Sequence, residues 1–250
     1  MKPKVAIHSI TGCAGCQLTI YFLQDHLLDL LSKIDLVAAP MIQSKNSKGP
    51  YDICFLEGSV SSEEDLEKAK EYREKSTVLI AFGTCAAFGN MQSSLKYHPK
   101  KKDIPKKIYK NVDHLKIVES TRLCDHIDID YTIPGCPPDK NEVFKFIKDL
   151  LLEKKPSLTT NPVCYYCTLN ENNCLIEQGV PCLGPITNGG CKALCPTNNH
   201  GCTGCRGPID DMNYTAQKAL LKRIGVSEEV FIQKVQKFAP KRFDELIKRF

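Results

Sequence analysis

No apolar run in the chain approaches the roughly 18 residues of a membrane-spanning helix, so no membrane span is expected. Met1-Lys2-Pro3-Lys4 leads straight into a short strand-like run. The apolar segment and small-residue cleavage site of a secretory signal are missing, and so is a twin-arginine export signal. A cytoplasmic location is the expectation. A spread basic surface is missing too. The net charge is +5, but residues 96–110 (KYHPKKKDIPKKIYK) hold seven lysines and one aspartate, so the rest of the chain is close to neutral. That stretch has no arginine and no nucleic-acid motif. It reads as a solvated lysine-rich loop, and a nucleic-acid partner is not expected. Hydrophobic residues at 42% and charged residues at 25% exclude wholesale disorder, and the chain is long enough to bury a core without covalent staples.

What is abundant is cysteine, with fourteen in 250 residues. A reducing compartment disfavours structural disulfides, so clustered cysteines point first to metal binding or redox chemistry. Residues 3–10 alternate like a strand, and Gln17–Ser32 reads as one amphipathic helix with Leu18, Tyr21, Phe22, Leu27, Leu28 and Leu31 on its apolar face. Asp35–Gln43, Asp52–Leu56 and Thr77–Phe82 are further strand candidates, and Ile133 ends another. Helices are expected over Ser62–Lys75, capped by Ser61 or Ser62, and from Asp139 to about Glu153. Residues 90–130 are irregular. Short apolar strands alternating with helices indicate an α/β fold with a doubly wound parallel sheet. After a linker at Pro156–Pro162, residues 164–205 carry eight cysteines in 42 positions. So few apolar residues fall there that something other than a hydrophobic core is expected to order the segment. Residues 211–250 are helical in pattern, with an amphipathic tail at Phe243–Phe250. The division expected is 1–157 and 158–250.

Three cysteine motifs follow strand ends: Cys13-Ala14-Gly15-Cys16, Cys85 and Cys136. In open parallel sheets ligands gather beyond the carboxyl ends of the strands, so these distant cysteines can meet. Alone, the CxxC reads either as a thioredoxin-like redox pair at a strand–helix junction or as half a zinc site; Cys85 and Cys136 tilt it towards a four-thiolate metal site. A second group is Cys164-x2-Cys167-x6-Cys174-x7-Cys182, and a third is Cys191-x3-Cys195-x6-Cys202-x2-Cys205. A zinc ribbon pairing Cys164 and Cys167 with Cys202 and Cys205 would strand the other four. Iron–sulfur clusters tolerate such irregular spacing, because one cluster presents several irons. Cys54, mid-strand, reads as a small buried hydrophobe. Cys124 sits in an ambiguous loop. His8 reads as a satisfied strand histidine. Glu57, at a strand end near Cys13 and Cys85, reads either as a contact or proton-relay group or as an ordinary loop carboxylate. The TGxxG element lacks the small hydroxylated residues of a flavin-phosphate loop, so flavin is not expected here.

TGCAGCQ at 11–17, EGSV at 57–60, GTCAAFG at 83–89, PGCPP at 134–138, CLIEQGVPCLGPITNGGC at 174–191 and GCTGCRGP at 201–208 resemble, in this order, the small subunit of cytosolic nickel–iron hydrogenases. The resemblance implies a flavodoxin-like domain holding a proximal 4Fe–4S cluster through Cys13, Cys16, Cys85 and Cys136. A second, irregular domain would hold a medial cluster through Cys191, Cys195, Cys202 and Cys205 and a distal one through Cys164, Cys167, Cys174 and Cys182. Membrane-associated and periplasmic members have a histidine in place of Cys164 and often a proline in place of Cys195. All-cysteine ligation here implies three 4Fe–4S clusters and lower potentials, which suits soluble acceptors. Gly15 and Asn90 stand where oxygen-tolerant members carry two extra cysteines. The resemblance further implies a nickel–iron centre in a separate large subunit and additional electron-accepting subunits bearing flavin or iron–sulfur groups. An acceptor of the NAD(P)-linked or sulfur-compound type is favoured over a heterodisulfide- or deazaflavin-linked one. The related quinone-reducing subunit of complex I is a weaker alternative, since it carries two adjacent cysteines where this chain has Cys13-Ala14-Gly15-Cys16 and lacks the eight-cysteine extension. A zinc-binding interaction module is the alternative from another class.

Overall fold

The computed structural model describes residues 1–95, 104–112 and 119–248. Residues 96–103 of the lysine-rich stretch and 249–250 of the C-terminal tail therefore lie outside the described residues. The elements in chain order are β1 (Lys4–Ser9), α1 (Gly15–Tyr21), α2 (Asp25–Lys33), β2 (Asp35–Ala38), β3 (Tyr51–Glu57), α3 (Glu63–Glu74), β4 (Ser76–Phe82), α4 (Gly83–Phe88), α5 (Asn90–Ser94), α6 (Ile104–Ile108), β5 (Tyr131–Ile133), α7 (Lys140–Leu151), α8 (Val163–Leu169), α9 (Leu194–Thr197), α10 (Tyr214–Arg223), α11 (Glu228–Gln236) and α12 (Pro240–Ile247).

The five strands form one sheet in the order β2-β1-β3-β4-β5, and every pairing is parallel. Successive side chains of a strand face opposite sides, and both sides here are apolar. Val5, Ile7, Ile53, Phe55, Ile80 and Phe82 pack with Ile20 of α1, Leu23 of the turn after it, Leu30 of α2 and Val143, Phe146 and Ile147 of α7. Ala6, Cys54, Leu56, Leu79 and Ala81 pack on the other face with Ala69 of α3, Ala86 of α4 and Leu123. A sheet buried on both faces needs continuous hydrophobic strands rather than polar alternation, which is how β3 and β4 read. Chain progression reverses between β1 and β3, and at such a switch point the loops diverge to opposite faces and open a crevice.

Ser62 caps α3, its hydroxyl accepting from the Asp65 amide, and Asp139 caps α7 by accepting from Asn141 and Glu142. Two expectations need correction. The helix expected over Gln17–Ser32 is two helices, broken at Phe22–Gln24 with Gln24 at φ 54°. The break rotates the apolar stripe, so that Leu23 and Leu30 are buried while Phe22 and Leu28 are 63% and 75% exposed. The strand expected to reach Gln43 stops at Ala38. Past Pro40, the Ile42 and Gln43 amides both turn back to the Ala39 carbonyl, and a turn closed that way cannot continue the sheet.

Residues 163–247 have their own core. Val163, Ile176, Leu183, Ile186 and Met212 pack with Leu221, Phe231, Val235, Phe243 and Leu246 from α10–α12. The cysteine-rich segment is thus not without hydrophobic support, because the helices that follow supply the large side chains it lacks. The two halves are joined by polar contacts. Arg206, 2% exposed, donates to the Pro134 carbonyl at 2.7 Å and forks onto Glu142 at 2.8 and 2.7 Å. Arg122 pairs with Glu245 of α12, and Lys241 with Asp125 at 2.6 Å. Among the described residues no helix is long and apolar enough to cross a membrane.

Candidate metal centres

The first cysteine set lies beyond the carboxyl ends of the strands, at the crevice. Cys13 follows β1, Cys16 opens α1, Cys85 lies in α4 directly after β4, and Cys136 follows β5. Burial pushes the Cys16 thiol far above its ordinary value, and Glu57, Cys85, Cys136 and Cys13 push it further in that order. Cys136 is likewise pushed up, by burial and then by Cys85, Cys13 and Glu57, against a hydrogen bond from Asn90. The four sulfurs therefore share one electrostatic environment. Cys16 and Cys85 are buried, whereas Cys13 and Cys136 face solvent. The packing leaves no room for a side chain at Gly83: a Cβ there would sit 2.1 Å from the Cys16 sulfur, and its φ of +86° disfavours any other residue.

Glu57 is 1% exposed and closes the N-terminus of α1. Ala14 at that end supplies no side-chain cap, and the Glu57 carboxylate at the end of β3 accepts from the amides of Gln17 at 3.2 Å and Cys16 at 3.5 Å. A negative charge on unsatisfied amides at a helix start is stabilising, so Glu57 holds the turn that presents Cys16.

The second set is Cys164 and Cys167, one turn apart on α8, with Cys174 and Cys182. The Cys164 thiol is pushed up to about 12 by burial and then by Cys182, Cys167 and Cys174. The Cys182 sulfur accepts from the amides of Gly184 at 3.4 Å and Cys202 at 3.1 Å, and the Asn172 side chain donates to Cys167 at 3.7 Å. A Cβ on Gly184 would lie 3.2 Å from the Cys164 sulfur and 3.4 Å from that of Cys182.

The third set is Cys191 and Cys195, flanking and opening α9, with Cys202 and Cys205. Burial and then Cys191 push up the Cys195 thiol. Cys205 is pushed up to about 11 by burial, followed by Cys191, with the Cys136 amide donating to its sulfur and pulling the other way. The third set thus lies between the other two. Cys205 meets the Cys136 amide and its carbonyl accepts from Thr84, while Cys202 donates its amide to Cys182. Among the described residues no three cysteine, histidine, aspartate or glutamate side chains converge as a single-ion site.

The remaining candidates stand apart. Cys54 is fully buried between Ala6 and Leu79 in the strand register, and burial pushes its thiol up to about 12. Cys124 is exposed on a short turn beside Arg122 and belongs to no set. His8 stacks on Tyr72 and lies 3.2 Å from the Tyr51 hydroxyl, and desolvation lowers its pKa to about 4. Four residues at the sites have no signal in the spacing: Thr84, Asn90, Gln92 and Arg206. Thr84 and Arg206 act across tertiary contacts, to Cys205 and to Pro134 and Glu142, whereas Asn90 and Gln92 reach back to Cys85 from the helix that follows it.

Residues 13–150 match the family model for the NADH ubiquinone oxidoreductase, 20 Kd subunit. The stretch with eight cysteines lies beyond that match. Over 238 residues the chain is 39% identical to the sulfhydrogenase 2 subunit delta of Pyrococcus furiosus, covering 94% of this chain and 99% of that protein. It is 34% identical to a subunit of the vhu F420-non-reducing hydrogenase of Methanocaldococcus jannaschii, covering 83% and 82%. Among solved structures, a chain of an NAD+-reducing [NiFe]-hydrogenase in the H2-reduced state superposes with a TM-score of 0.57 at 25% identity, over 64% of this chain and 96% of that one. With the sheet order, the switch-point cysteines and relatives matched along nearly their whole length, the chain belongs to the NADH ubiquinone oxidoreductase 20 Kd subunit family, as a nickel–iron hydrogenase small subunit.

Proposed function

We propose that the chain carries three 4Fe–4S clusters, held by Cys13, Cys16, Cys85 and Cys136, by Cys191, Cys195, Cys202 and Cys205, and by Cys164, Cys167, Cys174 and Cys182. When bound, such clusters supply one-electron carriers. The chain's own part is to hold, shield and hydrogen-bond them along a line from the nickel–iron site of a large subunit towards a soluble acceptor. The observation that carries this reading is the succession of the three thiol sets, with the third wedged between the first and the second through Cys205 and Cys202.

The residues fit the clusters. Cys16 and Cys136 in the first set, Cys164 and Cys182 in the second and Cys195, Cys202 and Cys205 in the third are each pushed up by burial and, after it, in part by thiols of their own set, a crowding that bound cationic iron relieves. Amide N–H groups already point at Cys85, Cys182 and Cys167, as anionic sulfur requires. Glycines at 83 and 184 leave free the space beside the sulfurs. Zinc fits less well. A zinc ribbon pairing Cys164 and Cys167 with Cys202 and Cys205 would strand the other four cysteines of the two sets.

The loops bearing Cys13, Cys85 and Cys136 form the face towards the large subunit. The halves divide near residue 157, as the two separate cores support, and the complex works in the cytoplasm. The acceptor is NAD(P)-linked or sulfur-linked, in line with the names of the sulfhydrogenase and NAD+-reducing relatives. A partner subunit with flavin or iron–sulfur groups completes the route. The test is anaerobic purification of the native complex followed by iron, sulfide and zinc analysis and EPR. About twelve irons on this subunit are expected from four per cluster. Zinc in place of iron, or a three-iron middle cluster without oxidative damage, overturns the assignment.

A further inference from the structure

Two side-chain amides converge on one sulfur of the first set. Asn90, 6% exposed, places Nδ2 3.1 Å from the Cys85 sulfur and 3.6 Å from that of Cys136. Gln92 places Nε2 3.4 Å from the same Cys85 sulfur. The orientation of an asparagine amide must be fixed by its partners, and here it is. Oδ1 accepts from the Met91 amide at 2.8 Å, so the NH2 end is left to face the sulfurs. The backbone agrees, since Asn90 has φ 57°, a left-handed conformation that asparagine tolerates better than most residues. Gln92 is aimed by a second donation, to Ser59 Oγ at 3.3 Å, and Ser59 is itself held by the Ser120 hydroxyl at 2.8 Å. Neither amide carries charge, so neither alters the net charge of the site. What they contribute is positive N–H dipole ends at one sulfur.

Hydrogen bonds to cluster sulfurs stabilise the more negative, reduced state and raise the reduction potential. We propose that Asn90 and Gln92 set the potential of the first cluster, acting together on Cys85 and, for Asn90, also on Cys136. The inference rests on the cluster assignment above. It makes the pair positioning residues rather than ligands: two side-chain donors meet on one sulfur of the first set, whereas in the second Cys182 takes its two hydrogen bonds from backbone amides and one side chain, Asn172, donates to Cys167 at 3.7 Å. A side-chain donor is removable by substitution where a backbone donor is not, so the potential of the first cluster is open to change by single substitutions.

The experiment is a redox titration followed by EPR on the intact, anaerobically purified complex, comparing wild type with Asn90→Gly, Asn90→Asp and Gln92→Leu. Glycine keeps the left-handed backbone and removes only the amide. Iron and sulfide are measured on each sample, so that lost cluster is distinguished from shifted potential. The expected result is full iron content with the midpoint of the first cluster moved to more negative values in Asn90→Gly and Gln92→Leu. In Asn90→Asp it moves further, because a carboxylate replaces a donor, and the other two clusters stay in place. Gln92→Leu carries the test by itself if Asn90→Gly fails to assemble. An unchanged midpoint in loaded Gln92→Leu complex, or an equal shift in all three clusters, overturns the inference. Absence of iron from the wild-type subunit instead overturns the cluster assignment on which it rests.

Discussion

The Arg206–Glu142 pair allows a prediction with opposite behaviour built into its two halves. Their side chains are 3% and 11% exposed, with the closest approach at 2.7 Å. Arg206 cannot lose its proton in a protein interior. Glu142 can gain one: burial pushes its carboxyl above the ordinary value while Arg206 pulls it down. Glu142→Leu therefore strands a buried cation and removes two charge-assisted bonds, leaving Arg206 only the Pro134 carbonyl. Breaking a buried pair from one side costs about 3–5 kcal/mol, which in a protein of this size lowers the melting midpoint by roughly 6–20 °C. Arg206→Met leaves an acid that neutralises itself, so its cost is smaller and depends on pH. A carboxyl whose folded pKa lies above its unfolded one holds more protons when folded. The Arg206→Met variant accordingly loses stability as pH rises from the ordinary carboxyl value to the elevated one, at up to about 1.4 kcal/mol per pH unit. The double variant Arg206→Met/Glu142→Leu, with no charge left to bury, recovers most of the loss. The assay is the circular-dichroism melt of the anaerobic complex between pH 5 and pH 8, at matched iron content. The reasoning is refuted if Arg206→Met costs more than Glu142→Leu at low pH, or if the two single losses simply add in the double variant.

Gly83→Ala places a methyl group 2.1 Å from the Cys16 sulfur, so iron analysis is expected to show the subunit short of one cluster's complement, with the other two retained. Cys195→Pro should convert the middle cluster to a three-iron form, visible by EPR, while Cys54→Ala costs only packing, of order 1 kcal/mol; identical spectra from the two would contradict the ligand sets. The isolated chain, refolded with iron and sulfide, should take up no hydrogen, since among the described residues Cys54 and Cys124 lie outside the three sets and have unlike surroundings. Measurable turnover without the large subunit would count against the division of labour proposed above.

The sheet is legible in the sequence because burial on both faces leaves a plain trace. VLIAF and ICFL are unbroken apolar runs, and turn motifs follow close behind them. The helix break at Phe22–Gln24 is not legible, because no glycine or proline marks it. It depends on how Leu23 and Leu30 must both meet the sheet. The three cysteine groups can be read from their spacing in the sequence. The groups that act on the sulfurs cannot. Asn90 meets Cys136 across 46 residues, and Arg206 meets Pro134 across 72. The strand end at Glu57 puts its carboxylate near the cysteines, but its task of closing α1 emerges only from the pairing of β1 with β3.

The second core also fixes an order of events during synthesis. Cys164 to Cys205 leave the ribosome before Leu221, Phe231, Phe243 and Leu246, the large side chains of the core in which Cys182 and Cys202 are buried. Gln217 of α10, which clasps the Cys182 carbonyl at 2.8 Å, also follows them. Cys182 and Cys202 are therefore open in the nascent chain and become buried as the last helices dock, while Cys174 stays exposed in the folded chain. Glu245 then reaches back to Arg122, so the same helix that shuts the second half also locks it to the first.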